Sequence, residues 1–207
     1  MVKKRVAVLI SGRGSNMAAL IEAAKTDDYP AEIALVVSNR ADAAGLGHAR
    51  DQGVATALIE HRKFGEDREA FERTLDETLR ANRIEIVCLA GFMRVLTPWF
   101  VARWSGRLLN IHPALLPHFK GLDTHRRAIE AGAKRHGATV HFVVAEIDAG
   151  PIVAQEAIDV RDDDTEAALA KRVLEIEHRL YPRALREVAE GRAKLTAPAP
   201  APGPENG

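Results

Sequence analysis

Short runs of β-branched and other apolar residues alternate with longer stretches of helical pattern along most of this chain. The runs are nearly continuous, as in Val-Ala-Val-Leu-Ile at 6–10, and such runs are typical of strands buried on both faces of a parallel sheet. In the helical stretch 66–81, an apolar stripe recurs every four residues at Phe71, Leu75 and Leu79. This alternation predicts right-handed βαβ units, and therefore a three-layer, doubly wound α/β sheet.

The same pattern predicts where each strand lies, and it changes towards the carboxyl end. Seven strands are expected, at 5–10, 32–37, 55–59, 84–90, 108–112, 137–145 and 152–160. The last two have no helical stretch between them, so we expect a mostly parallel sheet with an antiparallel C-terminal addition at one edge. A long helix is expected to follow, opened by the acidic residues 162–164 and kinked or ended by Pro182.

Charge, size and cysteine content narrow the classes of protein to which the chain can belong. Its 207 residues carry 29 basic and 29 acidic side chains, a balance that argues against a nucleic-acid or membrane-surface partner. No stretch approaches the roughly 18 apolar residues of a membrane span. The one cysteine, Cys88, allows no intramolecular disulfide, is expected to be buried and suits a cytoplasmic location. We expect one domain over 1–193 and a disordered Pro/Ala-rich tail over 194–207.

A glycine-rich turn, Ser-Gly-Arg-Gly-Ser-Asn at 11–16, follows the first predicted strand and leads into a helix. The free N–H groups at such a helix start can bind an anion. The third glycine of a dinucleotide-binding turn is missing, and the second strand ends in Ser-Asn-Arg without an acidic partner, so one phosphate fits better than a dinucleotide. Because Gly, Ser and Asn are also common in turns that bind nothing, both interpretations stay open.

Two polar residues, Asn110 and His112, lie at the carboxyl end of the fifth predicted strand, on one face of it. Open α/β sheets bind their ligands at this edge. The amide could donate a hydrogen bond to a developing oxyanion while the imidazole transfers a proton. Both could instead be hydrogen-bonded polar groups without a catalytic role. The long loop that follows, at 113–124, is of the kind that forms lids and binding loops.

Asp148 lies in an Asp-Ala-Gly-Pro turn between the last two predicted strands. Aspartate is common in turns, so a purely structural role is equally open. If the fold brings it near His112, its carboxylate would raise the imidazole pKa, but the sequence alone does not place the two in contact. The spacing of His112, His118 and His125 matches no common ligand pattern, so no metal site is expected.

Several motifs occur together in this chain. They are Asn-Ile-His-Pro-Ala-Leu-Leu-Pro at 110–117, Gly-Leu-Asp-Thr-His at 121–125, His-Gly-Ala-Thr-Val-His-Phe at 136–142 and Asp-Ala-Gly-Pro at 148–151, with further segments at 10–16, 89–96 and 177–178. Together they resemble the phosphoribosylglycinamide formyltransferases, and the resemblance covers residues 5 to about 191. The combination of Asn-x-His-Pro with a downstream Asp-x-Gly is highly specific for the folate-dependent formyltransferases.

The resemblance implies a Rossmann-like formyltransferase sheet, a reaction and a role for each polar residue named above. The family transfers the formyl group of 10-formyltetrahydrofolate, its co-substrate, to the amine of 5'-phosphoribosylglycinamide in de novo purine biosynthesis. By this resemblance, His112 is the general acid towards the folate nitrogen, and Asn110 donates to the oxyanion. Asp148 is the carboxylate that raises the pKa of His112. No metal is implied.

The resemblance also implies two sets of binding residues. Those for the ribonucleotide are Gly14, Ser15, Asn16 and Glu177. Those for the folate are Arg68, Met93, Arg94, Val95, Leu96, Asn110, Ala145, Glu146, Ile147 and Asp148. From the residues alone, Arg68 and Glu177 are equally well explained as surface charges, and 93–96 as apolar packing after a strand.

Three alternative functions predict different features. A methionyl-tRNA formyltransferase is expected to carry a further C-terminal domain, and a formyltetrahydrofolate hydrolase an N-terminal regulatory domain. A nucleotide-binding module without catalysis would not require Asn110, His112 and Asp148 to converge. We therefore expect small-molecule substrates, no nucleic acid and no membrane, in a monomer or a homodimer.

Overall fold

The first strand, β1 (Lys4–Ile10), is buried on both faces, as its continuous apolar run predicts. A computed structural model describes residues 2–195 of the chain. Within it, Val8 packs into one apolar cluster and its neighbour Leu9 into another on the opposite face. Both faces of the sheet are therefore covered, which is the three-layer architecture that the sequence predicts.

The other strands follow at intervals along the chain. They are β2 (Ala31–Ser38), β3 (Thr56–Leu58), β4 (Ile86–Leu89), β5 (Leu108–His112), β6 (Arg135–Phe142) and β7 (Ile152–Asp159). Within residues 2–195 the seven strands form one sheet in the order β3-β2-β1-β4-β5-β6-β7. The first five run parallel, whereas β6 is antiparallel to β5 and β7 is antiparallel to β6. This confirms the predicted mostly parallel sheet with an antiparallel addition.

Helices cover both faces of this sheet. They are α1 (Ser15–Ala24), α2 (Gly45–Asp51), α3 (Arg68–Ala81), α4 (Pro98–Arg103), α5 (Thr124–Glu130) and α6 (Glu166–Ala189). Buried residues of α1, α2 and α6 share one apolar cluster, and those of α3 and α4 share the other. The stripe predicted for α3 is confirmed, because Phe71, Leu75 and Leu79 are each at most 1% exposed. Truncating one of these leucines to alanine costs about 2–5 kcal/mol of stability.

One expectation about α6 is wrong, and one of the two effects expected of Pro182 does not occur. The acidic residues 162–164 do not open it, because Thr165 caps its first turn by accepting a hydrogen bond from the Ala168 N–H at 3.2 Å. Pro182 does not end it either, since the helix continues for seven further residues to Ala189. Ala184 and Leu185, beyond the proline, are fully buried against the sheet, and this packing outweighs the backbone hydrogen bond that proline cannot make.

The strand order creates the crevice in which ligands of such sheets bind. The chain goes from β1 outwards to β2 and β3, and then returns to the other side of β1 with β4. The connections after β1 and β4 therefore leave on opposite faces of the sheet. An opening is left between the carboxyl ends of these two strands. β5, which carries Asn110 and His112, lies beside β4 and ends at the same edge.

Three further expectations concern burial and the chain ends. Cys88 is fully buried among apolar residues, as predicted. Within the described part of the chain, no helix is both long and apolar enough to cross a membrane. Most of the tail predicted at 194–207 lies outside the described residues, so its boundary and its disorder stay predictions.

Candidate active site

A cleft of about 910 Å³ opens at the carboxyl ends of the central strands. Twelve of the residues predicted from the sequence contribute to its wall: Asn16, Met93, Arg94, Val95, Leu96, Asn110, His112, Ala145, Glu146, Ile147, Asp148 and Glu177. They come from widely separated parts of the chain, and the fold brings them together. Gly14, Ser15 and Arg68 do not contribute to this wall.

His112 is a buried imidazole, 5% exposed, with an oxygen near each ring nitrogen. Nε2 lies 2.9 Å from the carbonyl oxygen of Phe119, in the loop that folds back over the strand end. Nδ1 lies 3.4 Å from Oδ2 of Asp148. Both oxygens are acceptors, so an imidazolium, with a proton on each nitrogen, satisfies both contacts at once. This is the form that a general acid needs.

Asp148 is held in place by the backbone around it. Its Oδ2 accepts a hydrogen bond of 2.9 Å from the Gly121 N–H, and its own φ is 50°, in the left-handed region that non-glycine residues rarely adopt. Burial acts to raise the pKa of this carboxyl. Hydrogen bonding to the carboxylate, by the Gly121 N–H among others, outweighs burial, so the pKa lies below its ordinary value. The carboxylate is therefore charged at neutral pH.

Gly150 lets the turn that carries Asp148 lie flat against β6. A Cβ at this position would come within 1.7 Å of the Phe142 carbonyl oxygen, so no other residue fits without moving the backbone. The turn is pinned there by the Phe142 N–H, which donates to the Pro151 carbonyl at 2.9 Å. Asp148 is thus aimed at His112 by a turn with little freedom.

His141 is a member of the site that sequence reasoning missed. It lies on β6 directly opposite Asn110 of β5, and it is 2% exposed. Its Nε2 is 3.2 Å from Asn110 Nδ2 and 3.7 Å from Asp148 Oδ1. Alternation along the sixth predicted strand indicates which residues share a face with His141. Only the register with β5, which the sequence does not reveal, places it beside Asn110.

The end of the cleft near α1 is suited to an anion. Gly14 precedes the helix with φ 74°, which glycine adopts without strain, and α1 then starts at Ser15 with free N–H groups. Asn16 Nδ2 donates a hydrogen bond of 2.6 Å to Glu177 Oε2 on α6. Burial raises the pKa of Glu177, although this hydrogen bond opposes the shift. Within residues 2–195, Asn16 Oδ1 has no hydrogen-bond partner.

Ser15 lies elsewhere. It lines a separate and smaller hollow, of about 450 Å³, between α1, α2 and α6, together with residues such as His48 and His178. This hollow contains none of the predicted catalytic residues. We therefore place the chemistry in the larger cleft, where Asn110, His112 and Asp148 meet.

The other end of the cleft is apolar and exposed. Met93 is 71%, Leu122 76% and Ile147 55% exposed to solvent, and all three line the opening. Apolar side chains that cluster in this way around a cleft indicate a ligand with a flat or apolar part. The Arg94 guanidinium lies over the Phe71 ring at 5.2 Å, and its Nε has no partner within the described residues. Arg68, in contrast, is an exposed residue at the start of α3, outside the cleft.

No group of three or more His, Cys, Asp or Glu side chains in residues 2–195 is arranged to hold a metal ion. The cleft instead combines an imidazole with a carboxylate, an amide beside them, one end at the start of α1 and one apolar end. A proton donor next to an amide donor is an arrangement that stabilises the tetrahedral intermediate of acyl transfer.

Comparison with known proteins identifies the chemistry more closely. Residues 4–185 match the sequence family described as formyl transferase. The chain belongs to the formyl transferase family. It is therefore an enzyme, and the acyl group that its relatives transfer is formyl.

Relatives of this formyl transferase agree in size and in fold. A protein of Escherichia coli (strain K12) named phosphoribosylglycinamide formyltransferase is 45% identical over 190 residues, 92% of this chain and 89% of that protein. The crystal structure of phosphoribosylglycinamide formyltransferase from Brucella melitensis superposes with a TM-score of 0.87 at 50% identity, covering 91% of this chain and 97% of that one. The Coxiella burnetii enzyme, in complex with CHES, gives 0.89 at 42% identity, covering 94% and 91%.

Larger proteins also contain a region like this formyl transferase. The chicken protein named trifunctional purine biosynthetic protein adenosine-3 is 48% identical over 193 residues, which are 93% of this chain. The chain spans only 19% of the length of that relative. The likeness to the chicken protein thus concerns one part of it.

Proposed function

We propose that this enzyme transfers the formyl group of 10-formyltetrahydrofolate to the amine of 5'-phosphoribosylglycinamide, in de novo purine biosynthesis. The products are 5'-phosphoribosyl-N-formylglycinamide and tetrahydrofolate. The observation that carries the proposal is the contact between His112 and Asp148 beside Asn110, at the centre of a cleft that extends from the start of α1 to an apolar rim. The names and coverage of the bacterial relatives support the choice of substrate.

The proposed chemistry follows from the positions of the three polar side chains. The substrate amine attacks the formyl carbon, and negative charge develops on the formyl oxygen, which an N–H of Asn110 stabilises. His112 then gives its Nε2 proton to the folate nitrogen, so that the carbon–nitrogen bond to the folate breaks and the formyl carbonyl re-forms, while the attacking nitrogen releases one proton to solvent. Asp148 stabilises the imidazolium before this step and keeps the ring oriented. The folate nitrogen takes the place of the Phe119 carbonyl as acceptor.

The two ends of the cleft suit the two substrates. The single phosphate of the ribonucleotide matches the N–H groups at the start of α1, from Gly14 to Asn16. The Glu177 carboxylate next to Asn16 is an acceptor for ribose hydroxyls or for the substrate amine. The pterin and benzoyl rings of the folate match the apolar rim near Met93 and Ile147. Arg68 lies outside the cleft and is proposed to meet the charged glutamate tail of the folate.

An activity assay with both substrates tests the proposal, with the folate product followed by its absorbance. We expect formyl transfer to depend on the ribonucleotide, to be lost when its phosphate is removed, and to be lost in His112→Ala. Consumption of the formyl donor without any amine would indicate a hydrolase instead. Absence of transfer with a folded wild-type protein would refute the proposed acceptor.

A further inference from the structure

His141 has the proton on Nδ1. This nitrogen lies 2.9 Å from the carbonyl oxygen of Phe142, and a carbonyl oxygen can only accept. The Phe142 carbonyl has no freedom to turn away, because the N–H of the same peptide, on Val143, donates to the Leu108 carbonyl at 2.9 Å and Gly150 packs directly against the Phe142 oxygen. The tautomer of His141 is thus set by the backbone rather than by a ligand.

With its proton on Nδ1, His141 presents a lone pair at Nε2. Two groups face that lone pair: the Asn110 amide nitrogen at 3.2 Å and the Asp148 Oδ1 at 3.7 Å. A lone pair cannot donate to a carboxylate, and 3.7 Å is too long for a hydrogen bond. The contact at 3.2 Å is therefore a hydrogen bond in which Asn110 donates and His141 accepts.

This hydrogen bond decides which way the carboxamide of Asn110 points. Rotating the amide by half a turn would exchange its nitrogen and oxygen, and would set the Oδ1 lone pairs against the lone pair of His141 Nε2. That orientation is repulsive, so His141 selects the one in which Nδ2 faces it. An amide nitrogen has two N–H groups, and the second is left for the cleft that Asn110 lines.

We propose that His141 is a positioning residue, which fixes the carboxamide of Asn110 with an N–H available to the formyl oxygen. The inference rests on the proposed function, because the orientation of this N–H affects catalysis only if Asn110 stabilises an oxyanion. His141 lies in the cleft wall but is only 2% exposed, and in this arrangement it acts on the reaction through Asn110. The antiparallel register between β5 and β6 holds the two residues opposite each other.

Two substitutions test the roles of the two nitrogens of His141 separately. His141→Gln places an amide oxygen near the position of Nε2, so it keeps an acceptor for Asn110. His141→Asn places its amide near Nδ1, so it keeps a donor for Phe142 and loses that acceptor. We expect His141→Asn to lower kcat at least tenfold with little change in either KM, since loss of a whole oxyanion donor costs about 10²–10³. His141→Gln should recover most of that loss.

A double substitution distinguishes positioning from a general packing defect. In an Asn110→Ala background, His141 has no amide to orient, so His141→Asn should lower kcat no further. Melting temperatures of all variants show whether they are folded. The proposal would be overturned if the decreases in kcat caused by the two single substitutions multiplied in the double variant. A kcat of His141→Asn within twofold of wild type would also overturn it.

A measurement without catalysis keeps the inference separate from the proposed function. In ¹⁵N NMR spectra of the wild-type protein, the shifts of His141 should show a protonated Nδ1 and an unprotonated Nε2. If the protein shows this tautomer but transfers no formyl group to the ribonucleotide, the proposed function fails and the geometric step stands. A proton on Nε2 would overturn the inference whatever the activity.

Discussion

Asn16, at the start of α1, donates a hydrogen bond of 2.6 Å to Glu177, which lies 161 residues later on α6. The carboxylate is 7% exposed, and burial raises its pKa. The folded protein therefore binds the Glu177 proton more tightly than the unfolded chain does. The contribution of Glu177 to the free energy of unfolding is therefore present at low pH and is lost as pH rises through the pKa of the folded state. At neutral pH the ionised carboxylate lowers the stability of the fold.

Glu177→Gln should therefore raise the melting temperature at pH 7.5, because it removes a buried charge and keeps an oxygen for Asn16. The same change should weaken ribonucleotide binding about 10- to 100-fold, the effect of losing a charged hydrogen-bond partner. Calorimetric melting and titration with the ribonucleotide measure the two effects. Glu175→Gln, on the exposed side of the same helix, is the matched control and should alter neither. A Glu177→Gln variant that is less stable would contradict this account.

His112→Ala should lower kcat by about 10²–10⁴, the usual contribution of a general acid. Ribonucleotide affinity should stay within a few-fold of wild type, because His112 lies at the centre of the cleft and not at its anion-binding end. Steady-state kinetics and a binding titration check the two parts. His48→Ala, exposed on α2, serves as the control. Turnover near the wild-type rate would remove His112 from the mechanism.

Asp148→Asn should shift the pH dependence of activity. The pKa of the Asp148 carboxyl lies below its ordinary value, so the charge that it places beside His112 is present at neutral pH and is lost as pH falls through that pKa. The neutral amide lacks that charge at every pH, so the acid limb of the kcat/KM profile that belongs to Asp148 should disappear, and the maximum rate should fall. Profiles of the two proteins, recorded down through that pKa under the same salt conditions, make the comparison. An unchanged acid limb would show that the 3.4 Å contact has no electrostatic effect on the reaction.

His136 should give the fold a pH-dependent stability. It is fully buried, and burial is the main cause that lowers its pKa from 6.5 to about 4. As pH falls, the unfolded chain takes up this proton first, so stability is lost from about pH 6.5 down to about pH 4 and is constant below. The whole effect is about 3 kcal/mol. Urea unfolding of His136→Gln should show a shallower loss over this range, and parallel curves for the two proteins would rule out His136 as the source.

The apolar rim should act on one substrate only. Met93→Ser or Ile147→Ser removes exposed apolar surface next to the cleft, and should raise the KM for the folate about tenfold, in line with the free energy of burying such side chains. The KM for the ribonucleotide should not change. Leu58→Ser, exposed on the edge strand β3, is the control. Equal increases in both KM values would mean that the rim does not form a separate folate subsite.

Local patterns were sufficient for most of the fold. The apolar residues Leu108, Leu109 and Ile111 identify a buried strand without any knowledge of its neighbours, and β5 has the predicted bounds. Pro182 shows the limit of such reasoning, because its effect on the backbone is local, whereas the burial of Ala184 and Leu185 depends on the sheet beneath α6. Packing decided the length of the helix.

The site required information that a pattern does not contain. His112 and Asp148 are in contact because of the geometry of one turn. Asp148 in that turn has an unusual φ, and Gly150 packs closely against β6. The sequence motif suggested that contact without establishing it. His141 was missed because its importance comes from the strand opposite, where Asn110 lies at the same level. Pairing register between distant segments is set by the whole sheet.

Because α6 is the last helix of the domain to be synthesised, activity depends on complete synthesis of the domain. As the chain leaves the ribosome, α1 and the five parallel strands appear early, and α6 appears after all of them. Until α6 docks, Asn16 has no Glu177 to bind and one cleft wall is missing. Nascent chains stalled before α6 should therefore contain most of the sheet and yet bind no ribonucleotide.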